Sequence, residues 1–172
     1  GTPFNHNHPP TGKKVAIIGA GPAGLTAGLD LVRLGHAVKV FDSLPVAGGM
    51  IRVGIPPHRQ PYDRMDWEVQ QVLDEGVQLQ LNTRIDDIPG LLKSEAHGGP
   101  YQAVLIATGA HVAKKVDIPG NDHPDNWLSL DFLKKVCLGN PPDLSAPAGR
   151  RAGRRLFPAA GHPGPRNRGA GG

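Results

Sequence analysis

Apolar residues follow two different periods along the first half of the chain, and these periods predict alternating strands and helices. A short apolar run, Lys14–Ile18, is typical of a strand buried on both faces of a parallel sheet. From Pro22 the apolar positions recur at helical spacing until Gly35, and a second strand, Ala37–Phe41, follows at once. A strand, a helix and a strand this close together predict the right-handed crossover of a doubly wound α/β sheet.

The pattern continues less regularly after the second strand. Residues 43–61 are interrupted by glycines and prolines, which predicts a long loop of functional importance. Asp63 is the expected N-terminal cap of a second helix, whose apolar stripe ends at Gly76. Further strands are expected at residues 77–81 and 103–107, and a short helix at residues 129–136.

Composition divides the chain into three expected parts. Residues 1–12 are polar and predict an extended lead, and residues 13–140 carry the alternating pattern of one domain. In residues 141–172, 25 of 32 positions are Gly, Pro, Arg or Ala, which predicts a disordered tail. A shift of one base in GC-rich codons would turn part of this tail into a strand and a glycine-rich turn. An out-of-frame origin is therefore our hypothesis for the residues from about Ser145 onward.

Charge and cysteine content narrow the class of protein. The net charge of +4 comes from the tail, because residues 1–140 hold 13 basic and 14 acidic side chains. A near-neutral domain with only 5% aromatic residues argues against a nucleic acid partner. The single cysteine, Cys137, excludes a disulfide framework within the chain and fits a reducing cytoplasm. No apolar run approaches the roughly 20 residues of a membrane span, so we expect a cytoplasmic location.

The strongest chemical signal is the segment Gly-Ala-Gly-Pro-Ala-Gly, which follows the first strand and opens the first helix. Gly19 permits a tight turn, Gly21 lets the backbone approach a pyrophosphate, and Gly24 lets the helix pack closely on the strand. The helix N-terminus offers free N–H groups and a positive dipole end to phosphates. The segment predicts a dinucleotide site formed by Gly19, Ala20, Gly21, Pro22, Ala23 and Gly24.

An acidic residue at the end of the second strand restricts the choice of dinucleotide. Asp42 lies 18 positions after Gly24, where a carboxylate can accept hydrogen bonds from ribose hydroxyls. The same carboxylate would repel a 2′-phosphate, so FAD or NAD is expected here instead of NADP. Two adjacent glycines, Gly48 and Gly49, suit a backbone that passes close to a cofactor and favour FAD.

The next residues resemble a known family. Gly-Gly-Met-x-Arg-x-Gly-Ile-Pro-x-x-Arg-x-Pro, beginning at Gly48, and Ala-Thr-Gly, beginning at Ala107, are similar to segments of the glutamate synthase small (beta) subunit family. The resemblance covers residues 12–140 and extends to the flavin domain of dihydropyrimidine dehydrogenase. It implies a Rossmann-like, doubly wound FAD-binding domain that is truncated before an NAD(P)H domain.

The resemblance also assigns roles to particular positions. It implies that residues 19–24 hold the FAD pyrophosphate and that Asp42, where the family more often has glutamate, binds the adenosine ribose. The backbone near Ile85 would contact the adenine. The remaining implied FAD contacts are Gly48, Gly49, Met50 and Arg59 on the flavin side, and Ala107, Thr108 and Gly109 where the core strand ends.

The function implied by the resemblance is that of an FAD-dependent oxidoreductase. Such a flavoprotein passes electrons from NAD(P)H through FAD to a larger or iron-sulfur partner subunit. Three alternatives stay open: a non-catalytic nucleotide-binding or subunit-interaction module, a single-domain NAD-binding enzyme, and a chain with no stable fold. No side chain is predicted to be catalytic and no metal site is predicted, and His58, His111 and His123 are interpreted as surface residues.

Overall fold

The computed structural model describes residues 8–93, 95–119, 121–123 and 126–144. The chain divides into two units, Gly1–Pro142 and Asp143–Gly172, and the elements below belong to the first. Disorder and an out-of-frame origin are predicted for the tail, but residues 145–172 lie outside the described part of the chain. Most of the predicted lead, residues 1–7, lies outside it as well.

The described residues form four strands: β1 Lys14–Ile18, β2 Ala37–Phe41, β3 Gln78–Gln80 and β4 Ala103–Ile106. They build one parallel sheet in the order β3-β2-β1-β4. Each strand lies where the hydrophobic pattern predicts one, although β3 is shorter than expected. This parallel α/β sheet confirms the predicted fold class.

Five α-helices connect or flank the strands in the described residues: α1 Pro22–Arg33, α2 Gly49–Gly54, α3 Tyr62–Asp74, α4 Ile88–Lys93 and α5 Ser129–Cys137. Proline at the first position of α1 suits the fixed backbone angle there, and Gly35, with φ of 85°, follows the end of the helix. The expected capping role of Asp63 is wrong. The cap position is Pro61, and the Asp63 carboxylate accepts a hydrogen bond from the backbone of Arg64 instead.

Two of these helices were not expected from the sequence. α2 lies within the predicted long loop, and α4 lies between β3 and β4. Both have only six residues. An apolar period cannot establish itself over fewer than two turns, and each helix also contains glycine, which has a low helix propensity.

The sheet is buried on both faces at β1, as the apolar run predicts. On one face, Ile17 and Val40 are fully buried among side chains of α1 and α3. On the other face, Ala16 and Phe41 are fully buried against Leu91 of α4 and neighbouring residues. Residues one apart on a strand point to opposite faces, so the continuous apolar run of β1 supplies both cores.

The outer strand β4 is less covered than the centre of the sheet. Leu105 and Ile106 are 39% and 60% exposed, whereas every residue of β1 after Lys14 is buried. Across the described ranges, no helix combines the length and the apolar character needed to cross a membrane.

Replacing Ile17 with alanine tests the central position of β1. Ile17 has no exposed surface, so Ile17→Ala should lower the free energy of unfolding by about 3 kcal/mol through lost burial and a residual cavity. Ile118→Ala is the control, because Ile118 is 59% exposed and its truncation should change stability by less than about 0.5 kcal/mol. Urea unfolding followed by circular dichroism measures both. Equal losses in the two variants would contradict this description of the core.

Candidate functional site

A cavity of about 420 Å³ opens at the carboxyl ends of the parallel strands. In open α/β sheets this edge is where ligands bind, because the loops that leave adjacent strands diverge there. Strand ends, the loops after them and one helix form its wall. The lining residues are Ile18, Gly19, Phe41, Asp42, Ser43, Leu44, Thr83, Arg84, Ile85, Thr108, Gly109, His111, Val112 and Lys134.

The glycine-rich turn between β1 and α1 contains two glycines that the fold itself requires. Gly19 has φ of 114°, and a Cβ there would collide with the backbone carbonyl of Ala107. A Cβ on Gly24 would collide with the carbonyl oxygen of Gly19 and lie 3.2 Å from a methyl group of Ile17. These two positions are therefore closed by the backbone of the chain.

Gly21 differs from the other two glycines of the turn. Its backbone is extended, with φ of −79° and ψ of 179°, an angle pair open to any residue. The nearest atom to a Cβ there would be Cα of Gly49 at 3.8 Å, an ordinary van der Waals contact. No side chain caps the N-terminus of α1 at Gly21. The chain therefore leaves open space beside Gly21, at the N-terminus of α1.

The second pair of glycines packs directly against this turn. Gly48 and Gly49 have φ of 106° and 55°, and the Gly48 N–H donates to the carbonyl of Ala20 at 2.8 Å. A Cβ on Gly49 would lie 2.8 Å from Cα of Gly21. The start of α2 thus touches the start of α1, which gives the glycine pair a structural reason besides the one predicted from sequence.

Asp42 links the turn to the loop that follows β2. One of its carboxylate oxygens accepts a hydrogen bond from the Ala20 N–H at 2.7 Å, and the other accepts one from the Leu44 N–H at 2.8 Å. A carboxylate has about four acceptor directions, so two stay available to hydroxyl groups in the cavity. The side chain expected to bind a ribose thus also holds the cavity wall together.

The structure brings some of the predicted site residues together and leaves others apart. Five of them line the cavity: Gly19, Asp42, Ile85, Thr108 and Gly109. Gly48 and Gly49 adjoin the cavity turn through Gly21, as described above. Arg59 lies in the exposed turn that follows Pro56, and its side chain makes no hydrogen bond or ion pair within the described part of the chain. Its role on the flavin side stays a prediction.

A cluster around Tyr62 fixes α2 against α3 and α5. The Arg52 guanidinium donates to Asp66 at 2.6 Å and lies 4.1 Å from the centre of the Tyr62 ring. The Tyr62 hydroxyl donates to the carbonyl of Ile55 at 3.3 Å. Burial raises the pKa of Tyr62 to about 12, and a hydrogen bond to Cys137 adds to the effect. Arg52 therefore has partners in the protein and is not free for a cofactor.

Sequence reasoning missed five polar residues of the cavity wall: Ser43, Thr83, Arg84, His111 and Lys134. The first four lie in loops after β2, β3 and β4, so the rule that ligands bind beyond strand ends could have indicated them. His111 is half-buried at the cavity, although its sequence context suggested a surface residue. Lys134 comes from α5, and nothing in the sequence indicates where that helix packs. Within the described ranges, no group of three or more His, Cys, Asp or Glu side chains could hold a metal ion.

These features together define a dinucleotide-binding domain: a parallel sheet, a glycine-rich turn before a helix, an acidic strand end and a crevice at the carboxyl edge. Residues 13–137 match the family described as pyridine nucleotide-disulphide oxidoreductase, and the chain belongs to this family. The flavoproteins of this family bind FAD and use NAD(P)H, which confirms the class of cofactor predicted from sequence.

Individual relatives agree with this assignment. The chain is 46% identical over 138 residues to the NADP(+)-dependent formate dehydrogenase subunit beta of Moorella thermoacetica, covering 78% of this chain and 19% of that protein. It is 33% identical over 125 residues to the glutamate synthase [NADPH] small chain of Mycobacterium tuberculosis, covering 72% and 25%. The structure of Mycobacterium tuberculosis FprA in complex with NADPH superposes with a TM-score of 0.61 at 25% identity, covering 74% and 29%. The chain thus spans a quarter or less of the length of these two sequence relatives.

Alanine substitutions should separate the glycines that folding requires from the one that it does not. Gly19→Ala places a Cβ against the Ala107 carbonyl and needs a positive φ, so it should destabilise the protein by about 2 kcal/mol or more. Gly21→Ala should leave stability unchanged or slightly raised, because the extended backbone and the open space accept a methyl group. Thermal and urea unfolding of the two variants measure this, and an equal loss at both positions would disprove the distinction.

The half-buried Tyr62, whose pKa is raised, predicts a decline in stability at high pH. Tyrosine in the unfolded chain ionises near about pH 10, whereas the pKa of folded Tyr62 is about 12. The contribution of Tyr62 to the free energy of unfolding is therefore complete at pH values below the pKa of the unfolded chain. It disappears as the pH rises through the pKa of the folded protein. The difference in unfolding free energy between wild type and Tyr62→Phe should shrink between these two pH values. A difference that stays constant across that window would contradict the buried environment of Tyr62.

Proposed function

We propose that this chain is the FAD-binding part of an NAD(P)H-dependent flavoprotein of the glutamate synthase small-subunit type. In this proposal the cavity at the carboxyl edge of the sheet holds the adenosine diphosphate half of FAD. The observation that carries the proposal is the open space at Gly21, because the packing of the chain gives no reason for glycine there. A diphosphate that approaches the N-terminus of α1 gives that reason.

The residues of the cavity offer a suitable partner to each group of the adenosine diphosphate half of FAD. Asp42 has acceptor directions left for the ribose hydroxyls after its two backbone bonds. Ile85 is half-buried beside the cavity and offers an apolar surface and its backbone to the adenine. Thr108 and Gly109 follow β4, line the same cavity and would contact FAD where it passes the end of this strand. The flavin end would extend toward residues 48–50 and the turn that holds Arg59.

The chemistry of such a protein comes from the cofactor. FAD, when bound, accepts a hydride from NAD(P)H and releases electrons to an acceptor. The part played by this chain is to bind the dinucleotide, to fix its orientation and to hold the surrounding loops in place. The chain contains one Gly-x-Gly-x-x-Gly segment, which this proposal assigns to FAD, so the NAD(P)H site belongs to another part of the assembly.

We also propose that the electrons pass to a larger or iron-sulfur subunit. Support comes from the names of the relatives, which are a beta subunit of one enzyme and the small chain of another. The cytoplasm is the proposed location, because the single Cys137 cannot form a disulfide framework within the chain.

Retention of flavin by the purified chain tests the proposal. After incubation with FAD and removal of free cofactor, the wild-type protein should keep the visible absorbance band of bound flavin in stoichiometric amount. Gly21→Ala should bind FAD about tenfold more weakly or worse, because its methyl group occupies the space meant for the diphosphate. Thr26→Ala, an exposed position on α1, is the matched control and should bind FAD like the wild type.

The fold must be monitored in the same samples by circular dichroism. A folded wild-type chain that retains no flavin would contradict the proposal and favour a non-catalytic module. Full FAD binding by Gly21→Ala would show that the open space serves another purpose.

A further inference from the structure

We propose that Lys134 of α5 is the cation that binds the diphosphate of FAD. This inference rests on the proposed function and adds to it a residue from outside the glycine-rich turn. Lys134 lines the cavity at the carboxyl edge of the sheet and is its sole contribution from α5. No sequence motif indicates this residue, since it lies far from the glycine-rich segment in the chain.

The charges around the cavity leave Lys134 available. Among the cavity residues, the Asp42 carboxylate accepts from two backbone N–H groups and makes no ion pair with Lys134, and Arg84 donates to both oxygens of Asp86 at 2.8 and 3.1 Å. The Lys134 ammonium makes no ion pair or hydrogen bond with any other described residue. A half-buried lysine without a partner is a strong donor for an anionic group that enters the cavity.

A diphosphate in this cavity needs such a charge. The N-terminus of α1 supplies the equivalent of only about half a positive charge, against the two negative charges of a diphosphate. His111 also lines the wall, and the Arg84 guanidinium donates to Asp86. Lys134 therefore supplies the full positive charge that the turn lacks.

Packing places α5 on the diphosphate side of the cavity. α5 packs against α2, and α2 begins at Gly49, whose backbone touches Gly21. The adenine side, near Ile85, lies instead against α4 and the opposite face of the sheet. Through α2, the helix that holds Lys134 is therefore connected to the turn that receives the phosphates in this proposal.

The neighbouring lysine provides a matched control. The Lys135 ammonium lies 4.6 Å from the centre of the Trp127 ring and does not line this cavity. The two residues lie in the same turn of α5, and replacing either with alanine removes one positive charge. A difference between their variants therefore reports position, not total charge.

Isothermal titration of the full chain with FAD and with ADP tests the inference. Lys134→Ala should weaken both ligands by the same factor, about tenfold, because both contain the diphosphate and lose one charge-assisted bond. Lys134→Arg should restore most of the affinity, and Lys135→Ala should bind like the wild type. The affinity of Lys134→Ala should also depend less steeply on salt concentration, since one screened attraction is gone.

Each result decides between the two proposals. If the wild-type protein binds FAD and Lys134→Ala binds FAD and ADP as tightly as the wild type does, the role of Lys134 is overturned. The proposed function then stays intact. A loss for FAD alone places Lys134 at the flavin and overturns the diphosphate role. Equal losses of affinity in Lys134→Ala and Lys135→Ala would show that only the net charge of the protein matters. This result also overturns the role of Lys134. A folded wild type that binds neither ligand overturns both proposals, and circular dichroism of every variant excludes misfolding.

Discussion

The close approach of two backbone segments at Gly19 is the constraint on which the site depends. The turn after β1 passes so near the end of β4 that no Cβ fits between Gly19 and the Ala107 carbonyl. The Ala107 N–H in turn donates to the Ile18 carbonyl at 2.8 Å, which joins the two strand ends. The two strand ends are therefore held together by a hydrogen bond and a close backbone contact. The loops that follow them diverge, and the crevice of the dinucleotide site forms between these loops.

Asp42 extends this arrangement to the second strand. Its carboxylate holds the Ala20 N–H of the turn and the Leu44 N–H of the next loop, so three segments share one side chain. An aspartate at this position reaches both of these backbone amides, one with each carboxylate oxygen. A rigid, already hydrogen-bonded wall reduces the entropy that a ligand loses by ordering its site.

The predictability of each part follows the range of the interactions that determine it. β1, α1 and β2 follow from local patterns: an apolar run, a proline at the helix start and a glycine at its end. The glycine-rich turn and Asp42 belong to this same β1-α1-β2 segment, so their position at the crevice could be predicted from the sequence. The positions of α2, His111 and Lys134 depend on contacts between segments distant in sequence, which no local period records.

The structure also separates two causes that produce the same residue type. Gly19, Gly24 and Gly49 are surrounded by backbone, and this chain would need glycine there with or without a ligand. Gly21 alone among them has room for a side chain, so its glycine points to something that the fold does not contain. Lys134 is the charged counterpart of that position, because its ammonium has no partner in the described chain although its neighbour Lys135 has one. The open space beside Gly21 in the glycine-rich turn and the unpaired cation in the cavity wall are best explained together, by a ligand that is both compact and anionic.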